Sequence, residues 1–224
     1  QQPAIACFQE FYSSTDTAYQ NIEMLKKLTG MNNFYFEKSF KKKGKLFWGI
    51  ATFSKFPIVK KGIVPFENKT QNACTWSDIL IDSSKIIRVY NIHLQSIKLK
   101  DEEYAFIDSL SENKNANMSA GKTMLGKMKI AFQLRASQAD NIAASISQSP
   151  YPVIVCGDFN DTPSSYAYTT ISKNLNDAFL NTSFGIGSSY VLFLPLFRID
   201  YILFDSHFSV NDFKTIRKKY SDHY

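Results

Sequence analysis

An α/β protein (α+β type) with largely antiparallel sheets is the fold class this sequence predicts, on three observations. Short β-rich runs with turn residues between them recur along the whole chain. Clear helical periodicity is confined to two stretches. Helices are therefore too few for the strict strand–helix alternation of a doubly wound parallel sheet. With 224 residues, 44% of them hydrophobic and 15% aromatic, the chain can bury one large core, so residues 1–224 read as a single domain.

In chain order the strand runs are "AIACFQE", "FWGIATFSK", "PIVKKGIVPF", "CTWSDILID", "KIIRVYNIHLQ", "YPVIVCGD", "SYVLFL" and "RIDYILFD". Several alternate apolar and polar positions, the period of a half-buried strand. Residues 16–28 have a polar start and helical spacing. The pattern is stronger over 127–146, where Met128, Phe132, Ala136, Ala139, Ile142 and Ile146 recur at three- and four-residue steps. Residues 111–122, rich in Ser, Asn and Lys, read as a surface loop. Asp161, Thr162 and Pro163 resemble a cap and the first turn of a helix over "TPSSYAYTTIS". No internal repeat is visible.

Composition narrows the function classes. No apolar run approaches the ~20 residues of a membrane-spanning helix, and no signal peptide is recognisable, so the chain given reads as soluble. A formal charge of +6 and a pI near 9.1 suit a polyanionic or phosphorylated partner, although many basic proteins bind no nucleic acid. Cys7, Cys74 and Cys156 have neither disulfide-framework nor zinc-site spacing and are expected to be buried thiols. The chain begins at Gln1 and stops at "SDHY", as a processed or trimmed chain would.

The informative stretch is "VIVCGDFND", an apolar strand that passes through Gly157 and ends in Asp158, Asn160 and Asp161. A strand end is where polar groups can meet a ligand without being buried unsatisfied. On its own the motif reads equally well as a turn. Four further elements end the same way: His93 in "NIHLQ", Asp200 in "RIDYI", Glu10 in "CFQE", and the terminal Asp222-His223. Each alone has a bland reading, because a single strand histidine is more often a satisfied core residue. Jointly the bland readings fail, since burying several polar groups costs ~1–3 kcal/mol each unless they satisfy one another or bind something.

In that order and at those separations, "CFQE", "NIHLQ", "GDFND", "RIDYI" and "SDHY" resemble the endonuclease/exonuclease/phosphatase superfamily of deoxyribonuclease I-like fold. The resemblance implies a four-layer α/β/β/α sandwich of two largely antiparallel sheets, with the active site at one end. It also implies hydrolysis of a phosphate ester assisted by a divalent metal, Mg²⁺ or alternatively Mn²⁺. Glu10 matches the acidic metal ligand, and Asp222 a residue near the metal. Asp158 matches the residue that orients or deprotonates the attacking water, and Asn160 the amide that holds a phosphate oxygen. His223 matches the histidine at the scissile phosphate, Asp200 its carboxylate partner, and His93 a phosphate-contacting or leaving-group histidine. Asn91 and Arg135 are expected to bind substrate.

The sequence departs from the family pattern at both ends. No counterpart of the family's first strand precedes "CFQE", and no closing strand follows "SDHY". Family members with a hydrophobic amino-terminal anchor exist, so the compartment stays open. The expected substrate is a phosphate ester, nucleic acid in the leading reading, with an inositol-polyphosphate phosphatase or a sphingomyelinase-like lipid phosphodiesterase as the alternative. No obligate protein partner is evident and a monomer is expected. The basic cluster Lys41, Lys42, Lys43 and Lys45 reads as a solvated hairpin tip or a polyanion contact. Trp48 and Trp76 could stack on bases, although aromatic residues at strand spacing are usually core.

Overall fold

The computed structural model describes residues 2–15, 19–42, 45–67, 71–111, 117–190, 197–218 and 220–224. A three-stranded antiparallel sheet is formed by β1 (Ile5–Ser14), β3 (Leu46–Ser54) and β2 (Asn33–Lys42), in that order. A second sheet runs β4 (Ile58–Val64), β5 (Ala73–Asp82), β6 (Lys85–His93), β7 (Val153–Asp158), β9 (Asp200–Phe204) and β8 (Asn176–Asp177). It is antiparallel except where β6 and β7 run parallel. That pair is joined through α2 (Asp101–Ser111) and α3 (Met118–Ser147), the crossover that a parallel pair requires.

Burial sorts the elements into four layers. α1 (Asn21–Thr29) places Ile22 and Leu25 against Phe11, Ala51 and Phe53 on the outer face of the small sheet. On the outer face of the large sheet, Ala139 and Ile142 of α3 and Ala167 and Ile171 of α4 (Tyr166–Ser172) pack on Tyr90, Ile92, Val155 and Leu203. Between the sheets, Ile79, Ile87 and Val89 meet Ile5 and Cys7. The expected α/β/β/α sandwich is the observed one. A short α5 (Ala178–Thr182) follows β8.

The local expectations need correction in five places. Strand β2 is absent from the sequence reading because Glu37, Lys38, Lys41 and Lys42 make its second half look solvated, as an edge strand's often is. Helix α2 is likewise absent, since its acidic start hides a helix that docks through Phe106 and a buried Glu103 held by Lys127 at 2.6 Å. Helix α3 starts at Met118, inside the expected loop, because Asn117 caps it through the N–H groups of Ser119 and Ala120. The cap of α4 is Ser165, not the Asp161 turn. Helix α1 starts at Asn21 and ends on Gly30 in the left-handed conformation. Most of the "SYVLFL" run lies outside the described residues.

Candidate active site

Strand register lines up the predicted residues. In the parallel pair β6–β7, His93 is the partner of Asp158, and in β7–β9 Asp158 is the partner of Asp200. Three neighbouring strands of the large sheet thus end or begin on His93, Asp158 and Asp200 in one row. Gly157 permits this by close approach and not by a turn: it lies within β7 at φ +148°, and a Cβ there would stand 2.0 Å from the Ile92 carbonyl oxygen.

The small sheet supplies Glu10 from across the sandwich. The register of β1 against β3 slips between Phe8 and Phe11, and Glu10 at that bulge takes φ 50°. This turns its carboxylate outward, 79% exposed, with an oxygen 3.9 Å from His93 Nε2. Asn160 is also held at positive φ, 52°. Two predicted site residues therefore occupy conformations that ordinary side chains avoid, which are concentrated at functional sites.

The last predicted residues arrive on the chain terminus. Tyr190 and His223 form a β-bridge, and the Tyr224 N–H donates to the Ser189 carbonyl at 2.8 Å. This docking brings His223 Nδ1 within 2.8 Å of Asp200 Oδ2. The Ser189 hydroxyl in turn accepts the N–H groups of Ile199 and Asp200, both at 3.0 Å. The Tyr190 ring stands edge-on to His223. Ser189 and Tyr190 are supporting residues that the sequence reading did not name, and a serine before an aromatic residue has no motif to announce it.

Electrostatics divides the titratable groups. Burial, then the charge of Asp200, raises the Asp158 carboxyl to about 7, with Glu10 adding to the rise and with His223 and the Asn160 N–H opposing it. Burial depresses His93 to about 4, aided by His223 and Lys98. His93 is therefore neutral at pH 7, and its separations of 3.7 Å from Asp158 and 3.9 Å from Glu10 are not ion pairs. Burial also works against the charged form of His223, yet the hydrogen bond and charge of Asp200, with Asp158 and Asp222, outweigh it and hold His223 at about 9. A neutral and a cationic imidazole thus flank one carboxyl poised near neutrality.

Asn160 is committed to that carboxyl. Its backbone N–H donates to Asp158 Oδ1 at 2.7 Å, and its amide donates to Asp158 Oδ2 at 2.9 Å and to the Leu94 carbonyl at 3.0 Å. Its amide hydrogens are spent on Asp158 and the Leu94 carbonyl, so a phosphate contact would require exchanging one of these bonds.

Two expected substrate contacts lie elsewhere. Asn91 is fully buried and pins the sheets together: its amide donates to the Ala51 carbonyl at 3.0 Å and its oxygen accepts from Gln9 at 2.7 Å. Arg135, 1% exposed, sits 3.0 Å from Asp161 and donates to the Gln95 carbonyl at 2.9 Å, while Gln138 accepts the Gln95 N–H at 3.0 Å. These α3 side chains brace the segments that follow His93 and Asp158. A site made of surface ligands would not bury them this way.

The donor set fits a hard divalent cation. Asp158, Asp200 and His223 offer ligand atoms within 4.8 Å of one another, but Asp200 and His223 are bound to each other. Glu10 and Asp222, the two expected metal ligands, are exposed and stand outside that group, acting on it through their charges on Asp158 and His223 respectively. Crowded acid groups that raise the Asp158 carboxyl are the environment a cation relieves, and oxygen ligands suit Mg²⁺ or Mn²⁺ over softer metals.

This two-sheet sandwich is the deoxyribonuclease I-like fold. The chain belongs to the Endonuclease/Exonuclease/phosphatase family, which it matches over residues 1–223; the family's hydrolases act on phosphoester bonds. No curated protein matches the sequence significantly. Among solved structures it is similar to an endonuclease/exonuclease/phosphatase from Beutenbergia cavernae, with TM-score 0.67 and 14% identity over 99% of this chain and 60% of that one. It is also similar to the human Nocturnin catalytic domain with bound sulfate (0.58, 18%, 92% and 70%) and to sphingomyelinase C from Streptomyces griseocarneus (0.58, 17%, 93% and 73%). The chain thus spans about three fifths of the length of the Beutenbergia cavernae structure. At these identities the likeness shows the fold. Among the described residues, no helix is long and apolar enough to cross a membrane.

Proposed function

We propose that the protein is a divalent-metal-dependent phosphodiesterase acting on nucleic acid, with Mg²⁺ as the natural cation. The observation that supports this best is the convergence of Asp158, Asp200, His223, His93 and Glu10 on one spot. Glu10 and Asp222 hold the cation, which supplies positive charge to the phosphate when bound. Asp158, poised near neutral pH and oriented by Asn160, takes the proton of the attacking water. His223, kept cationic by Asp200, faces the negative charge that grows on the phosphate oxygens. His93, neutral, offers a hydrogen bond at the leaving-group side. The net basic charge supports a polyanionic substrate.

The test is nicking of supercoiled plasmid DNA by the purified protein, with Mg²⁺ and with EDTA, beside Asp158→Asn. Metal-dependent nicking that the variant lacks supports the reading. No nicking, with turnover of inositol polyphosphates or of sphingomyelin vesicles, replaces it by the phosphatase or lipid phosphodiesterase.

A further inference from the structure

Cross-strand register places Tyr12 of β1 and Phe40 of β2 as the two partners of Trp48 in β3. Partners share a face, so the three rings form one row across the small sheet. The ring centroids are 5.8 Å apart for Tyr12 and Trp48 and 6.4 Å for Phe40 and Trp48. This row is not core: Tyr12 is 39% and Phe40 43% exposed. The face is the one turned toward the large sheet, because Phe11, Ala51 and Phe53 point the other way, into the layer under α1.

The row lies immediately beyond the site. Both strands flanking β3 bulge at the level of Gly49, β1 between Phe8 and Phe11 and β2 between Lys38 and Phe40. The bulges turn Glu10 and Ser39 toward one cavity, and Gly49 is required between them, since a Cβ there would stand 1.8 Å from the Glu37 carbonyl oxygen. The cavity measures about 430 Å³. It is lined by Glu10 and His93 on the catalytic side, Phe40 and Trp48 on the aromatic side, and Gln71 and Lys98 opposite. That size falls within the roughly 300–1,000 Å³ of ligand sites.

We infer that this cavity is a base-stacking subsite, which seats an unpaired nucleobase next to the scissile phosphate. The inference rests on the phosphodiesterase reading and narrows it to a preference for single-stranded or locally unpaired nucleic acid, because a paired base reaches the rings only by flipping out of the helix, at a cost of a few kcal/mol. Phe40 and Trp48 offer ring surface to the base, while the amide of Gln71 and the hydroxyl of Ser39 offer donors and acceptors to its edge. The charge around the cavity matches a phosphate chain. Lys98, exposed, lies on its wall, whereas Lys38 and Lys41 stand over Phe47 on the other face of the small sheet. A quaternary ammonium headgroup, the other ligand that aromatic rings attract, would be repelled by Lys98.

The experiment compares binding of decathymidylate with binding of an abasic decamer of equal length, both to Asp158→Asn protein in Mg²⁺ at fixed salt. Decathymidylate should bind about 5- to 150-fold more tightly, the range one stacked base provides. Adding Phe40→Ala or Trp48→Leu should bring it toward the abasic affinity, whereas Trp48→Phe, which keeps a ring, should retain most of the preference. Equal affinity for the two decamers overturns the subsite, as does displacement of decathymidylate by phosphocholine at equimolar concentration. Failure of the wild-type protein to cleave plasmid DNA, single-stranded DNA and single-stranded RNA alike overturns the nuclease reading instead, and does so independently of the binding ratio.

Discussion

Asp158 and Asp200 are direct register partners across β7 and β9, and the charge of Asp200 is the second-largest cause, after burial, that lifts the Asp158 carboxyl to about 7. Two acids on adjacent strands therefore have different surroundings, one bound to His223 and the other held by Asn160; in the proposed mechanism the second exchanges a proton with the attacking water. Asp158→Asn keeps the shape and removes that exchange. Turnover should fall by at least ~10² while the fold is retained. A variant with unchanged kcat would remove Asp158 from the mechanism.

The shifts of Asp158, His223 and His93 predict how stability depends on pH in the metal-free protein. Asp158 has a folded value above its ordinary 3.8, so the folded state binds more protons than the unfolded one from about pH 4 to 7, and stability falls as pH rises through that window. His223 is raised from 6.5 to about 9; its contribution is complete below pH 6.5 and is lost as pH rises through 9. His93, lowered from 6.5 to about 4, acts in the opposite sense and offsets Asp158 from about pH 4 to 6.5. Thermal melts in EDTA should show Tm nearly level from pH 5 to 6.5 and declining from there to pH 9. In Asp158→Asn the rise that His93 produces should emerge below pH 6.5, with the alkaline decline retained.

Asp200→Asn should act through His223. The amide still accepts a hydrogen bond but carries no charge, so the imidazole loses the attraction that outweighs its burial. The alkaline limb of the kcat/KM profile should move to lower pH, and the NMR titration of His223 should move with it. A shifted profile with an unshifted titration would dissociate the two residues.

How far the site was legible depended on where each residue sits on its element. Asp158, Asp200 and His93 stand at strand ends, where an acid or imidazole breaks an apolar run and shows in the sequence. Glu10 was read as a strand's polar end, whereas β1 continues to Ser14 through the bulge that turns Glu10 outward; a slip in register belongs to a pair of strands and leaves no mark on one. Asn91 sits two residues before His93, and alternation alone put both on one side; the facing sheet then claimed Asn91 and left His93 at the rim. Arg135 shows the converse. Its helical spacing was right, and its burial depended on Asp161, 26 positions away. The layers were legible because alternation marks faces, whereas β2 and α2 were missed because each is half polar and leans on a neighbour.

Arg135→Met should therefore be a stability mutation. The guanidinium is buried against Asp161 and bonded to the Gln95 carbonyl, so its loss leaves a largely buried carboxylate without its counter-charge and with only the Thr162 N–H to it. Breaking such a pair from one side costs about 3–5 kcal/mol. Denaturant unfolding should show that loss. Arg135→Met with Asp161→Asn should recover part of it, whereas a role confined to substrate would raise KM with stability unchanged.

Gly157→Ala tests the close approach that builds the catalytic row. An added methyl would stand 2.0 Å from the Ile92 carbonyl oxygen, on a residue whose φ of +148° already disfavours a side chain. Relief requires β6 and β7 to separate just where His93 and Asp158 are partners. Overpacking of this kind costs about 1–3 kcal/mol. Displacements near 1 Å at a reacting centre cost on the order of 10²-fold in rate. The variant should thus lose kcat well beyond what its lowered Tm explains at a temperature where it is fully folded. Full activity in a destabilised Gly157→Ala protein would show that the His93–Asp158 spacing does not control the reaction.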